Sequence, residues 1–116
     1  MRIFMMQVFN RKAALELLDN EEELLQVLID SFLNESKFEK PVLEKLISGK
    51  KNLEAASYVH AVKGAARQLC MEKLQNSAQK TEDYLRGKSD GDITFLINQM
   101  FLDYQEAIQK LKNSFP

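Results

Sequence analysis

Leu53-Glu54-Ala55-Ala56-Ser57-Tyr58-Val59-His60-Ala61-Val62-Lys63-Gly64-Ala65-Ala66-Arg67-Gln68-Leu69 decides the fold, because it reads as one amphipathic helix that carries the chain's single histidine. No proline interrupts it, its one glycine is Gly64, and Asn52 just ahead of it is a candidate N-cap. At about 100° per residue, Ala55, Tyr58, Val59, Val62, Ala66 and Leu69 gather on one side as a core stripe. His60 falls roughly 150° from the centre of that stripe, with Lys63, Gly64 and Arg67 flanking it at i+3, i+4 and i+7. The imidazole therefore faces outward.

A lone histidine is by default a satisfied core residue or an incidental surface one. Its place on the wheel removes the first reading, and Gly64 argues against the second. A glycine inside a helix costs about 1 kcal/mol relative to alanine, and this one occupies the turn directly above the histidine. Removing a side chain there lets another surface approach the ring closely. Lys63 supplies a point charge suited to a phosphate. An outward nucleophile, a cation and a clearance fit phosphoryl transfer.

Outward from this segment the pattern is helical throughout, without strand alternation. Asn10 is placed to cap a short helix carrying Ala13, Ala14, Leu15, Leu17 and Leu18, which ends near Asp19-Asn20. A longer helix follows, with Glu21, Glu22 and Glu23 in its first turn, where negative charge suits the helix dipole. Leu24, Leu25, Leu28, Ile29, Phe32 and Leu33 form its expected buried face, and it ends near Ser36 or Lys37. Pro41 suits the first turn of a helix over Val42 to Ser48, with Gly49 as its stop. After Cys70, Met71 to Arg86 places Leu74, Ala78 and Leu85 on one face, and Gly87-Lys88-Ser89-Asp90-Gly91-Asp92 is the clearest turn. The last helix runs from Ile93 to Lys112, its apolar residues recurring at three and four. Short links between such helices predict an all-α fold: an up-down antiparallel four-helix bundle with an additional short N-terminal helix.

These residues resemble the histidine-containing phosphotransfer (HPt) domain family of bacterial and fungal phosphorelays. The family signature His-x-x-Lys-Gly is met by His60, Lys63 and Gly64, and the small residues beyond it by Ala65 and Ala66. A leucine and a small residue along the next helix correspond to Leu74 and Ala78, and the Gln or Glu one turn later to Glu82. An opening of the type Phe-x-x-x-x-Ala-Leu is seen in Phe9, Ala14 and Leu15, so the resemblance spans about Phe9 to Leu111. One position departs: ten residues after the histidine, where the family usually has glycine, stands Cys70. Glycine there would suit the left-handed end of a helix, so the turn is expected to be made another way.

The resemblance implies a phosphocarrier in a two-component phosphorelay. His60 would be the phosphoacceptor, taking phosphate from a receiver-domain aspartyl phosphate or a histidine kinase and passing it to a response regulator. Lys63 would compensate the phosphate's charge and Gly64 would give clearance. Glu82 would accept a hydrogen bond from Nδ1–H and so leave Nε2 free to attack. Arg67 is either a further phosphate or partner contact or a solvated helix arginine.

The single domain expected over 1–116 has an ordinary globular composition, 45% hydrophobic and 28% charged. A formal net charge of −1 gives no footprint for nucleic acid. Cys70 is the one cysteine, so no intramolecular disulfide is possible, and with one histidine no metal site is expected. No cofactor is implied. No Gly-rich phosphate loop or kinase signature appears, so the chain is not expected to be an ATP-using enzyme. The apolar start, Met1 to Asn10, is too short for a secretion signal and is read as an arm packed across the bundle. No run long enough to span a membrane occurs, so a cytoplasmic monomer is expected, with receiver domains as partners. Two other readings remain: an HPt-like module that docks receivers without turnover, hinted at by Cys70, and a helical adaptor or homodimer built on the Met-rich start.

Overall fold

The computed structural model describes residues 5–113, and among them there are six helices and no strand. They are α1 (Arg11–Leu17), α2 (Glu22–Glu35), α3 (Lys40–Ser48), α4 (Asn52–Gln68), α5 (Glu72–Leu85) and α6 (Ile93–Lys112). No helix among the described residues is long and apolar enough to cross a membrane.

Side-chain capping sets two of the six helix starts. Asn10 Oδ1 accepts from the Ala13 N–H at 3.1 Å and starts α1. Asp92 Oδ1 accepts from the Thr94 and Phe95 N–H groups at 2.9 and 3.4 Å and starts α6 at the predicted residue. The expected cap at Asn52 is a correction: Asn52 is the first helical residue, and Lys51 precedes it without a side-chain cap bond.

Four helices end the same way. After α1, α3, α4 and α5 the chain turns through a left-handed residue, Asp19 (φ 53°), Lys50 (φ 58°), Cys70 (φ 54°) and Gly87 (φ 75°) respectively, and after α1 Asn20 (φ 62°) is a second. At each end two backbone N–H groups reach back to carbonyls of the last turn. For α4 these are Cys70 N–H to Arg67 C=O (3.1 Å) and Met71 N–H to Ala66 C=O (2.9 Å), the crossed pair of a Schellman ending. Gly49 is the C-cap of α3, the stop expected of it, at φ −81°, and Lys50 takes the left-handed position beyond it. One expectation is corrected. Cys70 does not force another kind of turn; it adopts the conformation that glycine would, at a backbone cost of about 1–2 kcal/mol.

The core forms where the helix stripes meet. From α4 it takes Ala55, Ala56, Val59, Val62 and Ala66, and from α5 Leu74, Ala78 and Leu85. Leu25, Ile29 and Phe32 of α2 and Ile97, Met100, Tyr104, Ala107 and Leu111 of α6 complete it. Leu24, expected on the buried face of α2, is exposed, and so is Leu17 of α1; α1 and α2 each bury a narrower stripe than their apolar content suggests. Phe38, in the link before α3, packs against Tyr58, Phe101 and Tyr104 with ring centroids 5.8 to 6.1 Å apart. The Glu39 N–H donates to the Tyr58 hydroxyl at 2.8 Å and pins that link to α4.

The N-terminal arm packs onto the bundle through Val8 and Phe9, part of the packing expected of it. Phe9 is buried, the Asn10 N–H donates to the Cys70 carbonyl (3.0 Å) and the Lys73 N–H to the Gln7 carbonyl (3.1 Å). Met5 and Met6 stay exposed, and Met1 to Phe4 lie outside the described residues.

α5 is the element that positions the site. It packs between α4 and α6. Residues 60 and 63 of α4 meet 82 and 79 of α5, so those two helices run antiparallel. Lys73 and Thr81 of α5 meet Glu106 and the Leu96 carbonyl of α6 in the same antiparallel sense.

Candidate functional site

His60 sits in the middle of α4 on its outward face, and its side chain is 59% exposed. One edge of the ring is held. Nδ1 lies 3.2 and 3.1 Å from the two carboxylate oxygens of Glu82, which rises from α5 with its own side chain only 6% exposed.

A buried carboxylate needs compensation, and Glu82 has three partners. Lys63 Nζ donates to Oε1 at 2.8 Å, Arg86 Nε donates to Oε2 at 2.8 Å, and the imidazole shares the remaining edge. Burial alone pushes the Glu82 carboxyl up. The hydrogen bonds from Lys63, Arg86 and His60, with the Lys63 charge, outweigh it and hold the group down at about 2. At neutral pH the carboxylate is ionised and only accepts, so the proton between it and the ring belongs to Nδ1. In the neutral ring Nε2 then carries the free lone pair, on the edge away from Glu82.

Lys63, at i+3 from His60, is largely covered. Besides Glu82 its Nζ donates to Gln79 Oε1 at 3.0 Å, and Gln79 Nε2 donates in turn to Asp83 Oδ1 at 2.8 Å. Among the described residues no buried side-chain nitrogen or oxygen lacks a partner. The cluster around the ring is a closed network, and a closed network fixes the orientation of its members.

Gly64 lies one turn beyond His60. A Cβ built on it meets nothing within 4 Å, so the protein's own packing does not require glycine there. Arg67 is exposed in the last turn of α4, where a cation suits the helix dipole. It forms no side-chain hydrogen bond or ion pair among the described residues and is not drawn into the cluster.

The structure thus brings together His60, Lys63 and Glu82, leaves Gly64 open above them and leaves Arg67 apart. It adds Arg86 and Gln79, which sequence reasoning did not single out. Both spacings were visible, since Arg86 stands at i+4 from Glu82 and Gln79 at i−3. What local spacing does not supply is the register of α4 on α5, which turns those neighbours into one site.

No curated relative and no solved structure matches the chain. A protein-family model described as Hpt domain matches residues 17–114, from the last residue of α1 to beyond α6, and the matched span includes His60, Lys63, Gly64 and Glu82. The chain therefore belongs to the Hpt domain family, the histidine phosphotransfer domains of two-component systems.

Proposed function

We propose that the chain is a phosphocarrier of a two-component phosphorelay, with His60 as its phosphoacceptor. The observation that carries this reading is the pairing of Nδ1 with a buried, ionised Glu82 while the rest of the ring faces solvent. A receiver domain bearing an aspartyl phosphate docks over α4, and Nε2 attacks phosphorus in line. The Nε2–P bond forms as the P–O bond to the aspartate breaks, and the aspartate leaves as a carboxylate. Nδ1 keeps its proton throughout, so the ring becomes a phosphorylated imidazolium whose positive charge faces Glu82. Transfer to a response regulator is the reverse.

The transition state spreads negative charge over the equatorial oxygens, so the work required is positioning and charge compensation. Lys63 is the cation for that charge. Two cations on one carboxylate make this workable, because Arg86 still pairs Glu82 when Lys63 turns toward phosphate. Gly64 keeps the approach to the ring open, and Arg67 meets the partner's surface. Receiver domains, of response regulators or hybrid kinases, are the partners, and the expected interface is weak because a shuttle releases what it binds.

The same reading takes residues 1–116 as one domain acting as a cytoplasmic monomer, with α2, α4, α5 and α6 as an up-down bundle and α1 and α3 as short additions. Left-handed Cys70 removes the one hint that favoured docking without turnover. The test is intact mass after incubation with phosphoramidate, wild type against His60→Gln. One acid-labile phosphoryl group, present only on the wild type, is the expected result; a folded wild type that gains none rejects His60 as an acceptor.

A further inference from the structure

Positive charge is gathered at the α3 end of the molecule. Lys37, Lys40, Lys45, Lys50 and Lys51 fall in one short stretch with only Glu39 and Glu44 to offset them, in a chain whose net charge is −1. The side chains of Lys45, Lys50 and Lys51 are exposed, and none forms a hydrogen bond or ion pair among the described residues. Along α3 and its link to α4 lies a groove of about 460 Å³. Its apolar wall is Val42 and Leu46 and its rim is Lys45 and Lys51. Val42 is 40% exposed, and Leu53, two residues beyond Lys51, is 73% exposed.

We propose that this groove docks an acidic, apolar-bearing segment of a partner protein. Charge complementarity selects the sign, because unpaired lysines on a rim attract carboxylates and keep nothing back for partners of their own. The concave apolar wall selects the class. A large apolar side chain fills such a groove, whereas a flat lipid surface leaves it empty and a free phosphate gains nothing from Val42 and Leu46. Leu53 lies seven residues before His60 on α4, hence on the same face and about 10 Å away along the axis. A partner engaged at the histidine therefore has the groove within reach of a flanking tail, which would raise its local concentration without touching the ring. Binding in the groove does not depend on the chemistry of His60.

The test is fluorescence anisotropy with a labelled peptide, Asp-Glu-Leu-Phe-Glu-Asp-Leu-Glu, against a control carrying lysine at each acidic position. Wild type and His60→Gln are both expected to bind the acidic peptide saturably and to ignore the control. The double reversal K45E/K51E should weaken binding by about tenfold or more. Val42→Ala, which keeps every charge, should weaken it by about threefold. All these positions are exposed, and unchanged circular dichroism would verify that the variants are folded. The proposal is overturned by absent or unsaturable binding, or by equal binding to wild type and K45E/K51E. It is equally overturned by indifference to Val42→Ala, which would mean charge alone is at work. Vesicles of phosphatidylglycerol that bind where the peptide does not would replace it with a membrane contact. A doubled mass by light scattering without peptide, lost in K45E/K51E, would assign the groove to a second copy of the chain.

Discussion

Replacing Gly64 by alanine should separate folding from function in opposite directions. Within the protein the new methyl meets nothing within 4 Å, so no packing penalty arises. The helix gains what glycine costs in its interior, about 1 kcal/mol, which for a chain of this size raises Tm by about 4 °C. The Cα–Cβ bonds of a helix tilt toward its N-terminus, so the methyl leans back over the turn that carries His60. A small donor such as phosphoramidate approaches Nε2 from open solvent and should phosphorylate G64A at close to the wild-type rate. A receiver domain must bring its aspartyl phosphate to within about 3–3.5 Å of the ring, and a displacement near 1 Å from that geometry costs on the order of a hundredfold. Thermal unfolding, uptake from phosphoramidate and transfer from a phosphorylated receiver that serves the wild type are the three readouts. Receiver transfer at the wild-type rate in a stabilised G64A would refute clearance as the reason for the glycine. A fall in Tm would refute the packing argument itself.

Four further outcomes follow from the structure. Glu82 is held at about 2, below its ordinary 4.5, so its ionised form contributes about 3 kcal/mol that is fully present above about pH 5 and lost as pH falls toward 2; urea unfolding across this range should show the loss in wild type and not in Glu82→Gln. At neutral pH the same E82Q variant should be less stable by about 2–3 kcal/mol, because Lys63 and Arg86 lose their shared charge, and slower in phosphoryl uptake by phosphoramidate assay. Arg86→Ala should cost about 1 kcal/mol and move the acid unfolding midpoint to higher pH; an unmoved midpoint would mean Arg86 does not help hold Glu82 ionised. Lys50→Gly relieves a left-handed side chain at an exposed position and should add about 0.5–1 kcal/mol by chemical denaturation.

Much of the helical plan was legible because it is locally encoded. α6 runs over Ile93–Lys112 as read, since the Gly87-to-Asp92 turn and the Asp92 cap are both local signals. The α4 stripe was legible for the same reason: a 3.6-residue period states which face is apolar. It does not state how much of that face a neighbour covers, and Leu24 was misread on that account. Phe38 escaped because it stands in a link with no period, yet three aromatic partners converge on it. The first helix stop was read at Asp19-Asn20 and the third at Gly49, but left-handed Lys50 and Cys70 were not foreseen; the crossed backbone bonds that hold those ends leave no mark in composition. At the site, His60, Lys63 and Gly64 follow from one helix and a resemblance, and Glu82 from the resemblance alone. Gln79 and Arg86 needed the pairing of two helices.

That pairing is also what ties the stability of the bundle to the chemistry of the ring. Buried Ala55, Ala56, Val59 and Ala66 on α4 and Ala78 on α5 are small or slender, so α4 and α5 approach closely and their register is set by packing. The register puts His60 against Glu82 and Lys63 against Gln79 at once. A slip of one residue would turn Glu82 by about 100° around α5, carrying the carboxylate away from the ring. The ionised carboxylate resists such a slip, because moving it would strand a buried charge away from Lys63 and Arg86. Packing thus selects the register, the ion pairs penalise departures from it, and the imidazole inherits a fixed tautomer. A histidine with the same exposure on an unpartnered helix would have either nitrogen free to carry the proton, and its attacking atom would be undefined.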